Sequence, residues 1–169
     1  ILGFAVYGYS MIAIGFGQGL TPLISVSWGA GEHKTVMELR QLTNRILFVI
    51  GTLFALFFFI LGKGYARIFG CSDGVADMVS SGFRIYTVTF LFMGYNVISS
   101  MYFTSCGDAY SSALISSLRG IILLLGFTFL FSALLGMTGV WISAPATEGI
   151  TAILSVWLIG EQKKKLEGR

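Results

Sequence analysis

The chain has 169 residues, of which 55% are hydrophobic and only 11% are charged. Because soluble domains carry about 25% charged residues, this composition excludes an ordinary water-soluble domain and predicts a membrane protein. The net charge of +3 is small and its basic residues are scattered, which argues against a nucleic-acid-binding surface. One histidine and two isolated cysteines, Cys71 and Cys106, provide no metal-binding spacing.

Five segments are long and apolar enough to cross a bilayer, which takes about 20 residues as a helix. They occupy about residues 1–27, 46–62, 85–107, 111–134 and 139–159. The predicted fold class is therefore all-α, a polytopic bundle of transmembrane helices with five spans.

The connections between these spans differ in length. Residues 30–45 are predicted to form a polar loop that becomes a short amphipathic helix, with Val36 and Thr43 on its apolar face and Arg40 turned away from that face. Residues 63–84 form the longest connection, and the Gly-Met-Thr-Gly sequence at 136–139 predicts a tight turn.

The basic residues predict an orientation. With five spans the chain ends lie on opposite sides, and eight of the eleven Lys and Arg residues fall on the side of the C-terminal tail. These eight are Lys34, Arg40, Arg45, Arg119, Lys163, Lys164, Lys165 and Arg169, against Lys63, Arg67 and Arg84 on the other side. Since cytoplasmic loops are enriched in Lys and Arg, we expect a multi-pass protein of the cell membrane with a cytoplasmic C-terminus. Cys71 and Cys106 then lie near opposite sides, which argues against a disulfide.

The sequence starts with Ile1, inside an apolar run, without the basic start and small-residue cleavage site of a signal peptide. We therefore expect the chain to be part of a longer protein whose N-terminal portion precedes Ile1.

The first span contains a face of small and polar residues. Gln18 and Pro22 lie on it, and the whole face comprises Met11, Gly15, Gln18, Pro22, Ser25 and Gly29, spaced by three or four positions. Pro22 removes one backbone N–H and disturbs the carbonyl of Gln18. One interpretation is close helix packing through small residues. The other is that this face lines a path and lets the helix bend, as interrupted helices do beside transporter cavities.

The third span contains a polar stripe, and Asn96 is its most informative residue because an amide in hydrocarbon needs hydrogen-bond partners. The stripe comprises Thr89, Met93, Asn96, Ser100 and Phe103. It fits an interhelical hydrogen bond. The alternative is a substrate-facing wall, in which Met93 could repack around varied amphipathic ligands.

Two ionisable residues lie inside the last two spans. Glu148 follows Pro145 and would cost about 2.5 to 3.5 kcal/mol or more in hydrocarbon if it were charged and unpaired. It is a candidate for ion coupling, or else a neutral or hydrogen-bonded group that stabilises the proline break. Arg119 is close enough to one end of its span that we expect it to snorkel to the headgroups, with an ion pair between helices as the alternative.

Three segments resemble the multidrug and toxic compound extrusion (MATE) family of transporters. The stretch GQGLTPLISVSWGAG is similar to the Gln-Gly-x-x-Pro…Gly-Ala signature of the second helix in the C-terminal half of that family. The matching positions are Gln18, Gly19, Pro22, Gly29 and Ala30 there, Tyr102, Phe103, Gly107 and Arg119 in the stretch YFTSCGDAYSSALISSLRG, which runs from the third span into the fourth, and Gly139, Trp141, Pro145 and Glu148 in the stretch GVWISAPATEG.

The resemblance implies twelve spans in two six-helix lobes with both termini cytoplasmic, so that residues 1–169 form part of the C-terminal lobe, spans eight to twelve. It implies antiport by alternating access, in which a cationic or amphipathic drug leaves while sodium or protons enter, without a cofactor. The N-terminal lobe is then a partner. Some members carry an acidic coupling residue in the third of these spans; here Asn96 stands in a span without an acid. The resemblance is thus closer to members whose coupling carboxylate lies in the N-terminal lobe.

Two other functions remain open. A lipid-linked oligosaccharide flippase of similar architecture would need more basic residues in its cavity, where only Arg119 comes close. A non-transporting membrane scaffold would need no cavity and would tolerate loss of the polar residues. An enzyme is not expected, because no nucleophile, base and orienting group occur together.

Overall fold

The computed structural model describes residues 1–167, and nearly all of them are helical. Helices are what a membrane chain requires, because every backbone N–H and C=O in hydrocarbon must be satisfied within the protein. In chain order they are α1 (Leu2–Gly29), α2 (His33–Ile68), α3 (Asp73–Tyr86), α4 (Val88–Ser105), α5 (Ala109–Ser117), a π-helical turn (Leu118–Ile122), α6 (Leu123–Leu135) and α7 (Met137–Glu167). The prediction of an all-α membrane bundle is confirmed.

The predicted number of five spans was wrong. Within residues 1–167, four helical segments are long and apolar enough to cross a membrane: Leu2–Gly29, His33–Ile68, Ala109–Leu135 and Met137–Lys165. The span predicted at 85–107 falls mainly on α4, which has only 18 residues and contains the polar stripe around Asn96. α3 and α4 are separated by Thr87 alone, whose backbone is also helical. This part of the chain is therefore a pair of consecutive short helices instead of one long apolar one.

α2 also differs from the prediction. The short amphipathic helix and the second span are one continuous helix of 36 residues. Val36 and Thr43 are buried as the apolar pattern predicts, but Arg40 is buried as well, with only 7% of its surface exposed. Its guanidinium lies 5.4 Å from the ring centroid of Tyr102 and 6.0 Å from that of Tyr95. The aromatic faces attract the cation, which explains why Arg40 does not point away from the bundle.

α4 lies at the centre of the bundle and packs against α1, α2, α5 and α7. Close approach depends on two glycines that leave room for Tyr9 of α1. A Cβ atom at Gly94 would lie 2.5 Å from the Tyr9 hydroxyl, and one at Gly51 would lie 2.9 Å from it. That hydroxyl donates a hydrogen bond of 3.0 Å to the Leu47 carbonyl oxygen. The contact therefore joins α1, α2 and α4 with its polar atom satisfied.

Replacing Gly94 with alanine is expected to destabilise this three-helix contact. The added methyl group would overlap Tyr9 and approach Leu47 Cβ at 3.1 Å, and such overpacking costs about 1 to 3 kcal/mol. The matched control is Gly126→Ala on α6, where a Cβ meets nothing within 4 Å. Thermal unfolding of the full-length protein in detergent measures both. An unchanged midpoint for Gly94→Ala would contradict the tight packing.

Two ion pairs link the C-terminal end of α2 to α3. Arg67 donates a hydrogen bond of 2.8 Å to Asp73, and Lys63 pairs with Asp77. The Arg67 hydrogen bond and charge hold the pKa of the Asp73 carboxyl below its ordinary value. These pairs are exposed, so they contribute little to stability. Cys71 lies at this end of the bundle and Cys106 follows α4 at the other end, and both are free thiols.

Candidate functional site

A buried polar network joins α4 to α7. The Asn96 side-chain amide donates one hydrogen bond of 2.6 Å to Glu148 Oε2 and another of 2.9 Å to the Glu148 carbonyl oxygen. Ser155 donates a longer bond of 3.4 Å to Asn96 Oδ1. Asn96 has no exposed surface, so these contacts replace the water that an amide would otherwise bind.

Arg119 completes this network from the helix that precedes α7. Its Nη2 and Nε donate to Glu148 Oε1 at 2.7 and 3.2 Å. The two side chains are 19% and 9% exposed, so the pair is largely shielded from solvent. The expectation that Arg119 snorkels to the headgroups was wrong. Arg119 instead forms charge-assisted hydrogen bonds with a carboxylate, and such bonds are stronger in a low-dielectric interior than in water.

A π-helical turn places Arg119. Residues 118–122 depart from α-helical geometry between α5 and α6. Such turns contain one extra residue, are rare, and occur frequently at functional sites. Arg119 lies within this turn, and its guanidinium reaches Glu148. Nothing in the spacing of apolar residues indicates this turn.

A cavity of about 310 Å³ opens beside the ion pair. It lies between α1, α3, α4, α5, the π-helical turn, α6 and α7. Its lining combines apolar, hydroxyl and charged groups from Val6, Tyr86, Thr89, Met93, Ser116, Arg119, Gly120, Leu124, Ala144, Thr147 and Glu148. Met93 and Glu148, two of the sequence candidates, therefore share one cavity, and Asn96 is bonded directly to its wall.

Ser100 belongs to a separate group of hydroxyls between α4 and α5. Its Oγ lies 2.7 Å from Ser116 Oγ and 3.1 Å from Ser112 Oγ, and Thr104 approaches Ser112 at 2.7 Å. Ser100 does not line the cavity, but Ser116 does. The hydroxyl group thus extends the polar surface from the cavity toward the end of α4.

Gln18 and Pro22 lie apart from this cavity. Both are exposed, as are the other members of their face, Met11, Gly15, Ser25 and Gly29. The opposite face of α1 is buried. α1 continues through Pro22 without interruption. Among the described residues this face is exposed, and Ser25 alone on it donates a hydrogen bond to another helix, of 3.3 Å to the Ser105 carbonyl oxygen at the end of α4.

Among residues 1–167, no three His, Cys, Asp or Glu side chains come close enough to hold a metal ion. The Glu148 carboxylate accepts hydrogen bonds from Arg119 and Asn96.

A comparison with protein families identifies the chain. The family model MatE matches residues 3–130, which is more than half of the sequence. The chain belongs to the MatE family. The resemblance to MATE transporters is confirmed. Glu148 lies beyond the matched residues, so its role in the MatE chain rests on the geometry alone.

Curated relatives and a solved structure agree with this assignment. Multidrug export protein MepA from two strains of Staphylococcus aureus, bovine RF122 / ET3-1 and MRSA252, is 20% identical to the MatE chain over 151 residues. The match covers 88% of the chain but 33% of each relative, so the chain spans about a third of their length. These relatives are named as export proteins, and the MatE chain belongs with membrane transporters and not with enzymes.

The solved structure is described as the outward-facing conformation of a multidrug resistance MATE family transporter of the MOP superfamily. It superposes with a TM-score of 0.86 at 18% identity, covering 98% of the MatE chain and 39% of the other. At this identity the similarity shows the fold. It extends over α7, and therefore over the helix that carries Glu148.

Sequence reasoning missed part of the site. It did not pair Arg119 with Glu148, and it did not select Tyr86 or Thr147 as cavity residues. One signal was available in the sequence. Arg119 and Glu148 carry opposite charges within neighbouring spans, and each needs a partner there. Each was therefore the nearest candidate partner for the other. Tyr86 and Thr147 carried no such signal.

Proposed function

We propose that this chain is part of the C-terminal lobe of a multidrug exporter that works as a secondary active antiporter. A cationic or amphipathic compound leaves the cell while sodium or protons enter. Membership of the MatE family and the names of the MepA relatives support this proposal.

The observation that carries the proposal is a polar surface that the described helices leave open. It has two parts, the cavity beside the Arg119–Glu148 pair and, apart from that cavity, the exposed face of α1 around Gln18 and Pro22. Lipid cannot satisfy polar groups at membrane depth, so this surface needs water or another protein. We assign it to a central cavity that an N-terminal lobe of the same protein completes, with alternating access arising as the two lobes rock.

Both carboxylate oxygens of Glu148 already have partners, Arg119 on one and Asn96 on the other. An incoming sodium ion or proton would have to compete with Arg119. Glu148 therefore holds the lobe together and controls how readily this pair opens, while the main coupling carboxylate lies in the N-terminal lobe. Met93 contributes to the substrate-facing wall directly, and Ser100 contributes through its contact with Ser116, which lines the cavity.

The orientation in the cell membrane is also part of the proposal, with the C-terminus in the cytoplasm. Lys34 and Arg45 lie on the first half of α2, and Lys164 and Lys165 lie at the end of α7. Arg169, counted among the basic residues of this side, lies outside the described residues. The excess of basic residues at one end follows the positive-inside rule.

A flippase for lipid-linked oligosaccharides is not favoured. Arg119 is the only basic side chain on the cavity wall among residues 1–167, and Glu148 neutralises it. A phosphate-bearing substrate would lack the uncompensated positive charge that it needs.

Replacing Gln18 or Pro22 with alanine tests the proposed cavity face of α1. In the full-length protein we expect each variant to reduce efflux of a cationic dye several-fold at unchanged expression, because the polar contact or the flexible point is lost. The control is Val26→Ala on the same helix, where Val26 is 74% exposed but apolar. Unchanged efflux by both Gln18→Ala and Pro22→Ala would remove this face from the mechanism.

A further inference from the structure

A second groove lies on the opposite side of α4 from the polar cavity. It has a volume of about 720 Å³ and runs between α2 and α7. Phe48 forms one wall, Ile150, Ile153 and Val156 form the other, and Leu91 and Tyr95 of α4 form the floor. No charged side chain lines this groove. Its surface therefore matches hydrocarbon and not a polar drug.

The groove continues toward the basic end of the bundle. A neighbouring cavity of about 510 Å³ shares Phe48, Leu91 and Tyr95 with it and ends at Asn44 and Arg45. The Asn44 side-chain oxygen is buried there without a hydrogen-bond partner. An apolar channel that ends at an exposed guanidinium has the polarity of an anionic phospholipid, with acyl chain and phosphate in the same order.

A buried positive charge lies behind this end. The Arg40 guanidinium packs 6.0 Å from the Tyr95 ring, the ring that forms part of the groove floor. Its Nε and Nη1 atoms are buried without hydrogen-bond partners, and Arg40 makes no ion pair within residues 1–167. An uncompensated cation in a low-dielectric region favours a nearby anion. The positive charge of Arg40 therefore favours an anionic ligand over a neutral one at this end of the groove.

The flanks of the groove indicate that its occupant comes from the bilayer. Val49 and Leu53 on α2 are 58% and 60% exposed, and Ile153 and Val156 on α7 are 72% and 59% exposed. These apolar residues face outward on both sides of the groove, as residues in contact with lipid do. The polar groups that require protein or water lie on the other side of α4, around Glu148.

We propose that this groove binds one anionic phospholipid, with an acyl chain along α4 between α2 and α7 and the phosphate at Arg45. Arg40 increases the positive potential beneath the phosphate. The site does not depend on transport activity, and it lies away from the proposed substrate cavity.

Native mass spectrometry of the full-length protein in mixed phosphatidylglycerol and phosphatidylcholine tests this site. We expect one retained phosphatidylglycerol in preference to phosphatidylcholine. Arg45→Gln should weaken the preference about fivefold, the effect expected for one basic residue beside an anionic headgroup. The matched control is Arg67→Gln at the other end of the bundle, which should leave the preference unchanged.

A second variant fills the groove itself. Gly149 lines it, and a Cβ there meets nothing within 4 Å, so Gly149→Leu places a side chain in the groove without a clash at its first atom. We expect loss of the retained lipid of both types. Gly126→Leu, on α6 outside the groove and equally open, should retain it.

Three results would overturn the proposal. They are equal retention of the two lipids by the unchanged protein, an Arg45→Gln variant that keeps its full preference, and a Gly149→Leu variant that is folded and still retains the lipid. Occupation of the groove by a second copy would appear as a dimer that Gly149→Leu dissociates, and it would also exclude the lipid. Because Arg45 is exposed, the Arg45→Gln variant should fold. It keeps the test decisive if the Gly149→Leu variant does not fold.

Discussion

Replacing Arg119 with alanine is expected to abolish efflux and to lower the stability of the protein. The substitution leaves the Glu148 carboxylate, 9% exposed, without its guanidinium partner. Removing one partner of a buried ion pair costs about 3 to 5 kcal/mol, because the remaining charge stays desolvated. Dye efflux from cells and the thermal unfolding midpoint of the purified full-length protein measure the two effects.

A double variant separates charge from geometry. Arg119→Gln combined with Glu148→Gln removes both charges and keeps side chains able to hydrogen-bond with each other and with Asn96. We expect it to recover most of the lost stability but not the efflux. Arg67→Ala is the control for a lost arginine, since its pair with Asp73 is exposed, and it should change neither measurement appreciably. If Arg119→Ala were as stable as the unchanged protein, the pair would not be the structural link between these helices.

Deleting Gly120 is expected to have the second-largest effect. The π-helical turn at 118–122 contains one residue more than an α-helix accommodates. Removing Gly120 should restore α-helical geometry and redirect Arg119 away from Glu148. We expect loss of dye efflux and a lower unfolding midpoint, in the same direction as Arg119→Ala and of similar size, because the same ion pair is broken.

The control for this deletion keeps the number of residues. Gly120→Ala retains the turn, and a Cβ at this position meets nothing within 4 Å. It should transport nearly as well as the unchanged protein. A deletion variant with normal efflux and stability would show that the π-helical turn is not what positions Arg119.

The exposed face of α1 shows which part of a site helical periodicity can predict and which part it cannot. The three- and four-residue spacing correctly placed Gln18 and Pro22 on one side of a single helix. The structure adds that this side is open and that the Asn96–Glu148 network lies elsewhere. Residues on one helix share a face by periodicity alone, whereas the distance between two helices depends on the packing of the whole bundle.

The sequence by itself determined the membrane location, the helical class and the approximate position of most spans. These features depend on the number of consecutive apolar residues, and hydrocarbon leaves a chain of that composition no alternative to helices. It also singled out Asn96 and Glu148, because isolated polar groups in apolar spans must find partners.

Only the tertiary structure decided which partners they found. Arg119 pairs with Glu148 from within a π-helical turn, and buried Arg40 packs against Tyr95 and Tyr102 from another helix. Neither can be inferred from the composition of a single span. Each results from contacts between residues far apart in the chain, and such contacts depend on how the helices pack.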